Sequence, residues 1–176
     1  MTVPRRLFFA LWPDDASRRA LAAEAERLAP QCGGYPLPAE NMHVTLAFLG
    51  NVDASRLEAL VDLTRAWPAL NGEWMLDRLG HFPKPRIVWA GSQASNPALL
   101  ALDAELWQAL TRHGFTAPQR DFTPHVSLVR QADRAAPESR LSAPIRWRFD
   151  HLALVESQLD DGGSRYRTLA DNRSQE

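Results

Sequence analysis

The stretch NMHVTLAFLG, residues 41–50, has the residue pattern of an amphipathic β-strand. Side chains alternate between the two faces of a strand, so His43 and Thr45 share one face. Val44 and Leu46 point to the other face, which the pattern predicts to be buried. The exposed face would then carry an imidazole beside a hydroxyl group.

The chain repeats this pattern at residues 124–130, PHVSLVR. The same alternation places His125 and Ser127 on one face of a second strand. A lone histidine on a strand is usually a surface residue or a satisfied core residue. Packing gives no evident reason for two near-identical copies of a polar face. A two-fold cleft built from both strands would explain the repeat.

Two histidines that face each other across an anion suit acid-base chemistry, because imidazole gives and takes a proton near neutral pH. In phosphodiester cleavage, one imidazole activates the attacking oxygen and the other protonates the leaving oxygen. The neighbouring hydroxyls can donate hydrogen bonds to the phosphate oxygens. Zinc would require three or four close ligands, and the chain has no H-x-x-E-H or C-x-x-C motif. A serine triad at Ser127 lacks the glycines of a nucleophile elbow.

The composition is that of an ordinary globular protein, with 176 residues, 45% hydrophobic and 23% charged. This length suits one compact unit or two intimately joined lobes. The net charge of −1 provides no global field for nucleic acid, so RNA binding must depend on a local patch. Cys32 is the single cysteine, and the apolar N-terminal run is too short for a signal sequence or a membrane span. We therefore expect a cytoplasmic protein.

The segment pattern favours an α+β fold, because adjacent β-like runs indicate hairpins rather than a doubly wound parallel sheet. Helices are predicted to begin at Asp14 or Asp15, at Asp53 or Ser55, and at Asn96. Strands are predicted over 7–12, 73–79, 86–90, 147–155 and 165–169, in addition to the two histidine strands, and a polar loop over 131–144.

Several stretches resemble the two-histidine phosphoesterase superfamily, and within it the bacterial and archaeal RNA 2′,3′-cyclic phosphodiesterases, long called 2′-5′ RNA ligases. The similar stretches are RLFFALWP, AENMHVTLAFLGNV, RIVWAG and FTPHVSLVR. The resemblance implies a bilobal α+β fold over residues 1–176, a single domain with two antiparallel sheets and outer helices around a central cleft, related by a pseudo-two-fold axis.

The resemblance also implies metal-independent hydrolysis of RNA 2′,3′-cyclic phosphate ends to 2′-phosphate ends, without a cofactor. His43 would be the proton donor to the leaving 3′ oxygen, and His125 the base that activates water. Thr45 and Ser127 would bind the phosphate. The expected partner is RNA with a 2′,3′-cyclic phosphate end, including tRNA fragments or small cyclic nucleotides. The protein is expected to act as a monomer and not to associate with a membrane.

Arg130 is a further phosphate-binding candidate, since the family motif commonly ends in arginine. Strand alternation places Arg130 opposite His125, so it reaches the cleft only if the strand bends or ends there. Phe48 has the same alternation problem and is expected in the core. Of the other histidines, His113 is expected at a helix end, His151 within a strand, and His81 in an ordinary loop.

Two other functions use the same residues. The site could join RNA halves reversibly through a 2′-5′ linkage, because a reversible step has one transition state for both directions. Alternatively, the chain could be a non-catalytic module that binds nucleotides or RNA ends. Intact histidines in both motifs favour an enzyme.

Overall fold

The computed structural model describes residues 4–173, and within this range it contains nine β-strands and three α-helices. The strands are β1 (Arg5–Leu11), β2 (Tyr35–Pro36), β3 (Val44–Val52), β4 (Gly72–Phe82), β5 (Ile87–Gly91), β6 (Val126–Arg130), β7 (Arg140–Phe149), β8 (Ala153–Asp160) and β9 (Gly163–Asp171). The helices are α1 (Asp15–Cys32), α2 (Leu57–Arg65) and α3 (Pro97–Arg112).

The strands form one antiparallel sheet in the order β7-β4-β5-β6-β3-β1-β8-β9, and β2 pairs with β6. The α+β class is therefore confirmed. This order divides into two halves, β7-β4-β5-β6 and β3-β1-β8-β9. The strands that meet at the division, β6 and β3, are the two histidine strands. The two halves join where Val44 pairs with Val126, the one β3–β6 register pair within the described residues. The expected division into two separate sheets is not confirmed, because this join makes the strand order continuous.

Side-chain caps begin the helices near the predicted residues. The Asp14 carboxylate accepts a hydrogen bond from the Ser17 backbone N–H at 2.8 Å, which starts α1. The Asn96 side chain accepts one from the Leu99 N–H at 3.1 Å, which starts α3. Gly33 ends α1 in the left-handed region, at φ 72°, where a side chain would be strained.

Other segments differ from the sequence predictions. A 3-10 turn over Ala54–Arg56 follows the predicted cap, so α2 begins later, at Leu57. The polar loop predicted over 131–144 is shorter, because β7 begins at Arg140 and pairs with β4. The strand predicted over 147–155 is wrong as one element, because the chain leaves β7 after Phe149 before β8 begins.

The helices and the sheet bury the main core on one face of the sheet. Leu7, Phe9 and Leu11 of β1 are fully buried there, together with leucines from all three helices. The alternate side chains of β1 point to the opposite face, where Phe8 and Ala10 form a small cluster with β8. No helical residue within the described range belongs to that cluster. We call this second face, which also carries His43 and His125, the open face.

Candidate active site

The two histidine strands meet at the centre of the open face. Each histidine immediately precedes its strand, His43 before β3 and His125 before β6. Because Val44 and Val126 form an antiparallel pair, the residues on either side of them face each other in reverse order. This register brings His43 toward Ser127 and Thr45 toward His125. The four predicted side chains therefore surround one point, related by an approximate two-fold axis.

Both imidazoles are fixed by the same backbone contact. The Nδ1 atom of His43 lies 2.7 Å from the carbonyl oxygen of Asn41, and Nδ1 of His125 lies 2.8 Å from that of Thr123. A carbonyl oxygen only accepts hydrogen bonds, so Nδ1 carries the proton in both neutral rings. The Nε2 atom of each ring is then the one that takes or gives a proton.

The two hydroxyls differ in their contacts. The Thr45 hydroxyl lies 2.8 Å from Nε2 of His43 and donates a hydrogen bond to it when the ring is neutral. Within residues 4–173, no hydrogen bond joins His125 to Ser127. The first half of the site therefore holds its acid-base group and its hydroxyl as a connected pair, and the second half leaves both open to a ligand.

Aromatic rings enclose His43. Its ring centroid lies 5.0 Å from that of Phe8, 5.2 Å from Tyr166 and 5.6 Å from Trp12. The indole N–H of Trp12, which directly follows β1, donates a hydrogen bond to the hydroxyl of Thr168 in β9 at 3.1 Å. This packing orients the imidazole and removes water from it.

His125 has a similar but smaller enclosure. Its ring lies 5.1 Å from Phe82, edge to face, and 5.9 Å from Trp89. Trp89 packs flat over Gly80 of the neighbouring strand, where a Cβ atom would lie 2.1 Å from the indole ring. The absence of a side chain at Gly80 is thus required for Trp89 to lie beside His125.

Burial lowers the pKa of both histidines. The pKa of His43 is lowered to about 4, chiefly by desolvation and to a lesser extent by the charge of His125, while the hydrogen bond to the Asn41 carbonyl partly opposes this shift. Desolvation also lowers the pKa of His125, as does, more weakly, the charge of Arg120. Both rings are therefore neutral at pH 7 in the free protein. Repulsion between the two rings disfavours a state in which both are protonated to imidazolium.

A β-bulge in each histidine strand changes which later residues face the site. In β3, Thr45 pairs with Ala10 and Ala47 with Phe9, so Leu46 is an extra residue. Beyond this bulge the alternation reverses, and Phe48 pairs with Phe8 on the open face. The expectation that Phe48 belongs to the core is wrong, because its side chain is 50% exposed.

The same bulge occurs at the equivalent position of β6. Ser127 pairs with Trp89 and Val129 with Val88, so Leu128 is the extra residue. The reversed alternation turns Arg130 toward the face of His125 and Ser127. Its guanidinium reaches the β8–β9 turn, where Nη1 would lie 3.4 Å from a Cβ atom on Gly163. Strand alternation alone had placed Arg130 on the wrong face.

A pocket of about 220 Å³ opens beside His43 and Thr45 on the open face. Its other lining residues come from distant strands: Arg6, Phe8, Phe48, Ser157, Leu159, Ser164 and Tyr166. The sequence prediction did not include Arg6, Leu159 or Tyr166 in the site. The available signal was the alternation in β1, where Arg6 and Phe8 share a face.

The remaining histidines lie outside this site. His113 caps the end of α3, as predicted. His81 is in β4 rather than in a loop, and its Nε2 atom is buried with no hydrogen-bond partner among residues 4–173. His151 lies between β7 and β8 beside Asp150, so its predicted place within a strand is wrong.

Within residues 4–173, no group of three or more His, Cys, Asp or Glu side chains is arranged to hold a metal ion. The same part of the chain has no helix that is both long and apolar enough to cross a membrane.

Comparison with known proteins gives a consistent result. The family model of the 2′-5′ RNA ligase superfamily matches residues 13–161. The RNA 2′,3′-cyclic phosphodiesterase of Escherichia coli is 31% identical over 170 residues, covering 96% of both chains. The protein of the same name from Thermus thermophilus is 30% identical, covering 93% of this chain and 87% of its own. The crystal structure of E. coli LigT complexed with 3′-AMP superposes with a TM-score of 0.85 at 30% identity, covering 96% of this chain and 97% of its own.

Proposed function

The chain belongs to the 2′-5′ RNA ligase superfamily, and on this basis we propose that it hydrolyses RNA 2′,3′-cyclic phosphate ends to 2′-phosphate ends. The observation that carries the proposal is the pair of imidazoles beside the Val44–Val126 pair, each with Nδ1 bound to a carbonyl oxygen so that Nε2 is the atom left for proton transfer. The proposal includes a single domain that acts as a monomer in the cytoplasm, without metal or cofactor.

In the proposed reaction, the cyclic phosphate lies between the two histidines. Nε2 of His125 accepts a proton from water as the water oxygen forms a bond to phosphorus. Nε2 of His43 donates its proton to the 3′ oxygen as the bond between phosphorus and that oxygen breaks. The products are a 2′-phosphate and a 3′-hydroxyl, and the histidines have exchanged protonation states.

The lowered histidine pKa values fit this scheme once substrate is bound. The cyclic phosphate carries a negative charge, and an anion close to an imidazole favours its charged form. Substrate binding therefore raises the pKa of His43 from its low value. His43 is then protonated and can donate this proton to the leaving oxygen. When His43 is protonated, Nε2 becomes a donor, and the Thr45 hydroxyl is released to bind a phosphate oxygen.

Ser127 and Arg130 complete the proposed phosphate site from the second half. The Ser127 hydroxyl faces the same point as Thr45 and has no competing bond to His125 within the described residues. Arg130 supplies a positive charge that a bulge directs to the open face. Donors of this kind stabilise the charge that builds on the nonbridging oxygens during the reaction.

Product analysis tests the proposal. The purified protein is incubated with an oligoribonucleotide that ends in a 2′,3′-cyclic phosphate, in the presence of EDTA. The expected product ends in a 2′-phosphate. A strict requirement for added metal, or a 3′-phosphate product, contradicts the proposed chemistry.

The same assay separates the other two functions. With a second RNA that has a 5′-hydroxyl end, a ligated product shows that this hydroxyl replaces water in the site. Tight binding with unchanged substrate indicates the non-catalytic module. Either result as the only outcome contradicts hydrolysis as the function.

A further inference from the structure

The carbonyl oxygen of Asn41 fixes the imidazole of His43, so the position of this carbonyl decides where the reactive nitrogen lies. Nδ1 of His43 lies 2.7 Å from it, and a ring that is held at Nδ1 presents Nε2 in a fixed direction. A general acid must lie within hydrogen-bond reach of the oxygen that it protonates. The contacts that hold Asn41 therefore bear directly on the proposed role of His43.

The backbone at Asn41 is a short turn whose hydrogen bonds are local. Ala39–Asn41 form one turn of 3-10 helix, in which the Asn41 N–H donates to the Pro38 carbonyl at 3.0 Å and the Met42 N–H to the Ala39 carbonyl at 3.2 Å. Neither bond reaches another strand, and the hydrogen-bond geometry of 3-10 turns is poorer than that of α-helices. A further contact is thus needed to fix the Asn41 carbonyl relative to the rest of the site.

The side chain of Asn41 makes such a contact with a distant strand. Its Nδ2 atom donates a hydrogen bond to the backbone carbonyl oxygen of Ser164 in β9, at 3.0 Å and 123 residues further along the chain. Two residues later in the same strand, the Tyr166 ring contacts the His43 ring edge to face, with 5.2 Å between the centroids. Strand β9 therefore holds His43 in two ways, directly through Tyr166 and indirectly through Asn41.

The second half of the site restrains the corresponding carbonyl differently. Thr123 occupies the position of Asn41, two residues before its histidine, and its side chain makes no hydrogen bond within the described part of the chain. The next residue is Pro124, whereas the first half has Met42 there. Proline fixes its own φ angle and restricts the residue before it to extended conformations. The Thr123 carbonyl is therefore restrained by the covalent chain, and the Asn41 carbonyl by a side-chain hydrogen bond.

Turn formation and ligand contact do not account for the Asn41 amide. Asparagine in a turn commonly bonds the backbone two residues further on. Here the amide crosses to another strand instead, so local turn chemistry does not explain the contact. Asn41 is also not one of the residues that line the pocket beside His43. These observations favour a residue that acts through His43 rather than one that touches the substrate.

We propose that Asn41 is a positioning residue: its amide, bound to the Ser164 carbonyl, fixes the backbone carbonyl that orients His43 for proton donation to the 3′ oxygen. This role rests on the proposed function, because it assigns Asn41 to the acid half of the reaction. The base half does not depend on this contact, since Pro124 restrains its carbonyl. Loss of the Asn41 amide should therefore impair protonation of the leaving oxygen and leave the activation of water intact.

Two substrates separate a defect in the acid from a general defect. One is an oligoribonucleotide that ends in a 2′,3′-cyclic phosphate, and the other is the same RNA with sulfur in place of the 3′ bridging oxygen. A thiolate leaves without being protonated, so the sulfur substrate requires no general acid. The ratio of the two kcat values measures the dependence on the acid, and it does not change with the fraction of the protein that is folded.

Asn41→Leu removes the amide and keeps the branched shape of the side chain. It is expected to lower kcat for the oxygen substrate roughly 10- to 100-fold, the scale of a displacement of about 1 Å at a reacting group, with little change in KM. The sulfur substrate should lose far less, so the ratio of sulfur kcat to oxygen kcat rises. Asn41→Gln, which keeps the amide donor, should recover part of the loss. Asn172→Leu is the matched control, because the Asn172 amide also donates to a carbonyl at 3.0 Å, that of Pro68, outside the site.

The outcomes separate the role of Asn41 from the function on which it rests. A wild-type protein that opens neither substrate contradicts the proposed function itself. If the wild type opens both, an Asn41→Leu variant that loses the same factor on both substrates, or that keeps full activity, overturns the positioning role alone. An equal rise of the kcat ratio in Asn172→Leu also overturns it, because the effect would then not be specific to the contact with Ser164.

Discussion

The two halves of the site share one local scaffold, and in the proposed reaction they perform two different chemical tasks. In each half, a histidine precedes a strand, its Nδ1–H donates a hydrogen bond to the carbonyl oxygen two residues earlier, and a β-bulge follows in the strand. The halves differ in what surrounds this scaffold. His43 is hydrogen-bonded to Thr45 and lies beside an apolar pocket, whereas His125 is free of Ser127 within the described residues and lies nearer to Arg120. The comparison indicates that the repeated backbone places the groups, and in the proposed reaction the neighbouring side chains give the two histidines different roles.

The largest expected effect comes from removing either imidazole. His43→Ala and His125→Ala should each lower kcat about 100- to 10,000-fold, the range for a general acid or base. The double variant should lose little more than either single variant, because the two groups act as a unit. His113→Ala, at the end of α3, is the control for a histidine outside the site. Full activity in either single variant contradicts the two-histidine mechanism.

The hydroxyl variants should show a smaller effect that differs between the halves. Thr45→Val and Ser127→Ala each remove a donor to a charged phosphate, which predicts a loss of roughly 10- to 100-fold in kcat/KM. Thr45→Val should also raise the pKa of His43, because the Thr45 hydroxyl donates to neutral Nε2. Kinetics across pH measure both changes, with Thr45→Ser and Ser127→Thr as conservative controls. Equal pH profiles for Thr45→Val and Ser127→Ala would contradict the proposed difference between the two halves of the site.

The buried state of His43 predicts a pH dependence of stability. The pKa of His43 is about 4 in the folded protein and 6.5 in the unfolded chain, so the unfolded chain binds more protons between these values. The free energy of unfolding should therefore fall as the pH is lowered from 6.5 to 4, by up to about 3 kcal/mol from this group.

Urea unfolding of the wild type and of His43→Asn measures this slope. The variant should have a shallower slope in that window, whatever its stability at pH 7, and the contribution of His125, whose pKa is also lowered, should remain. His151→Asn, at a histidine outside the site, should keep it. Parallel wild-type and His43→Asn curves would show that His43 is not desolvated as described.

The sequence contained enough information for the parts of the fold that depend on local chemistry. The caps at Asp14 and Asn96 were predictable because a side chain reaches a backbone N–H three residues away. The family prediction is confirmed by the match over residues 13–161. The pairing of His43 with His125 in one site followed from the repeated motif, and their catalytic roles stay predictions.

The parts that depend on partner strands were not predictable in the same way. Whether Leu46 or Leu128 forms a bulge is decided by the register with β1 or β5, which single-strand alternation does not contain. This is why Phe48 was expected in the core. Arg6 and Tyr166 were missed because each reaches the pocket through a strand far along the chain from His43.

The assignment of acid to one half and base to the other is the central claim, and a substrate with sulfur in place of the 3′ bridging oxygen tests it most directly. A thiolate leaves without being protonated, so this substrate has no need of the general acid. The expected result is that His43→Ala hydrolyses the sulfur substrate nearly as fast as the wild type, while His125→Ala remains slow. Rescue of His125→Ala instead, or of neither variant, would contradict the assignment of proton donor to His43.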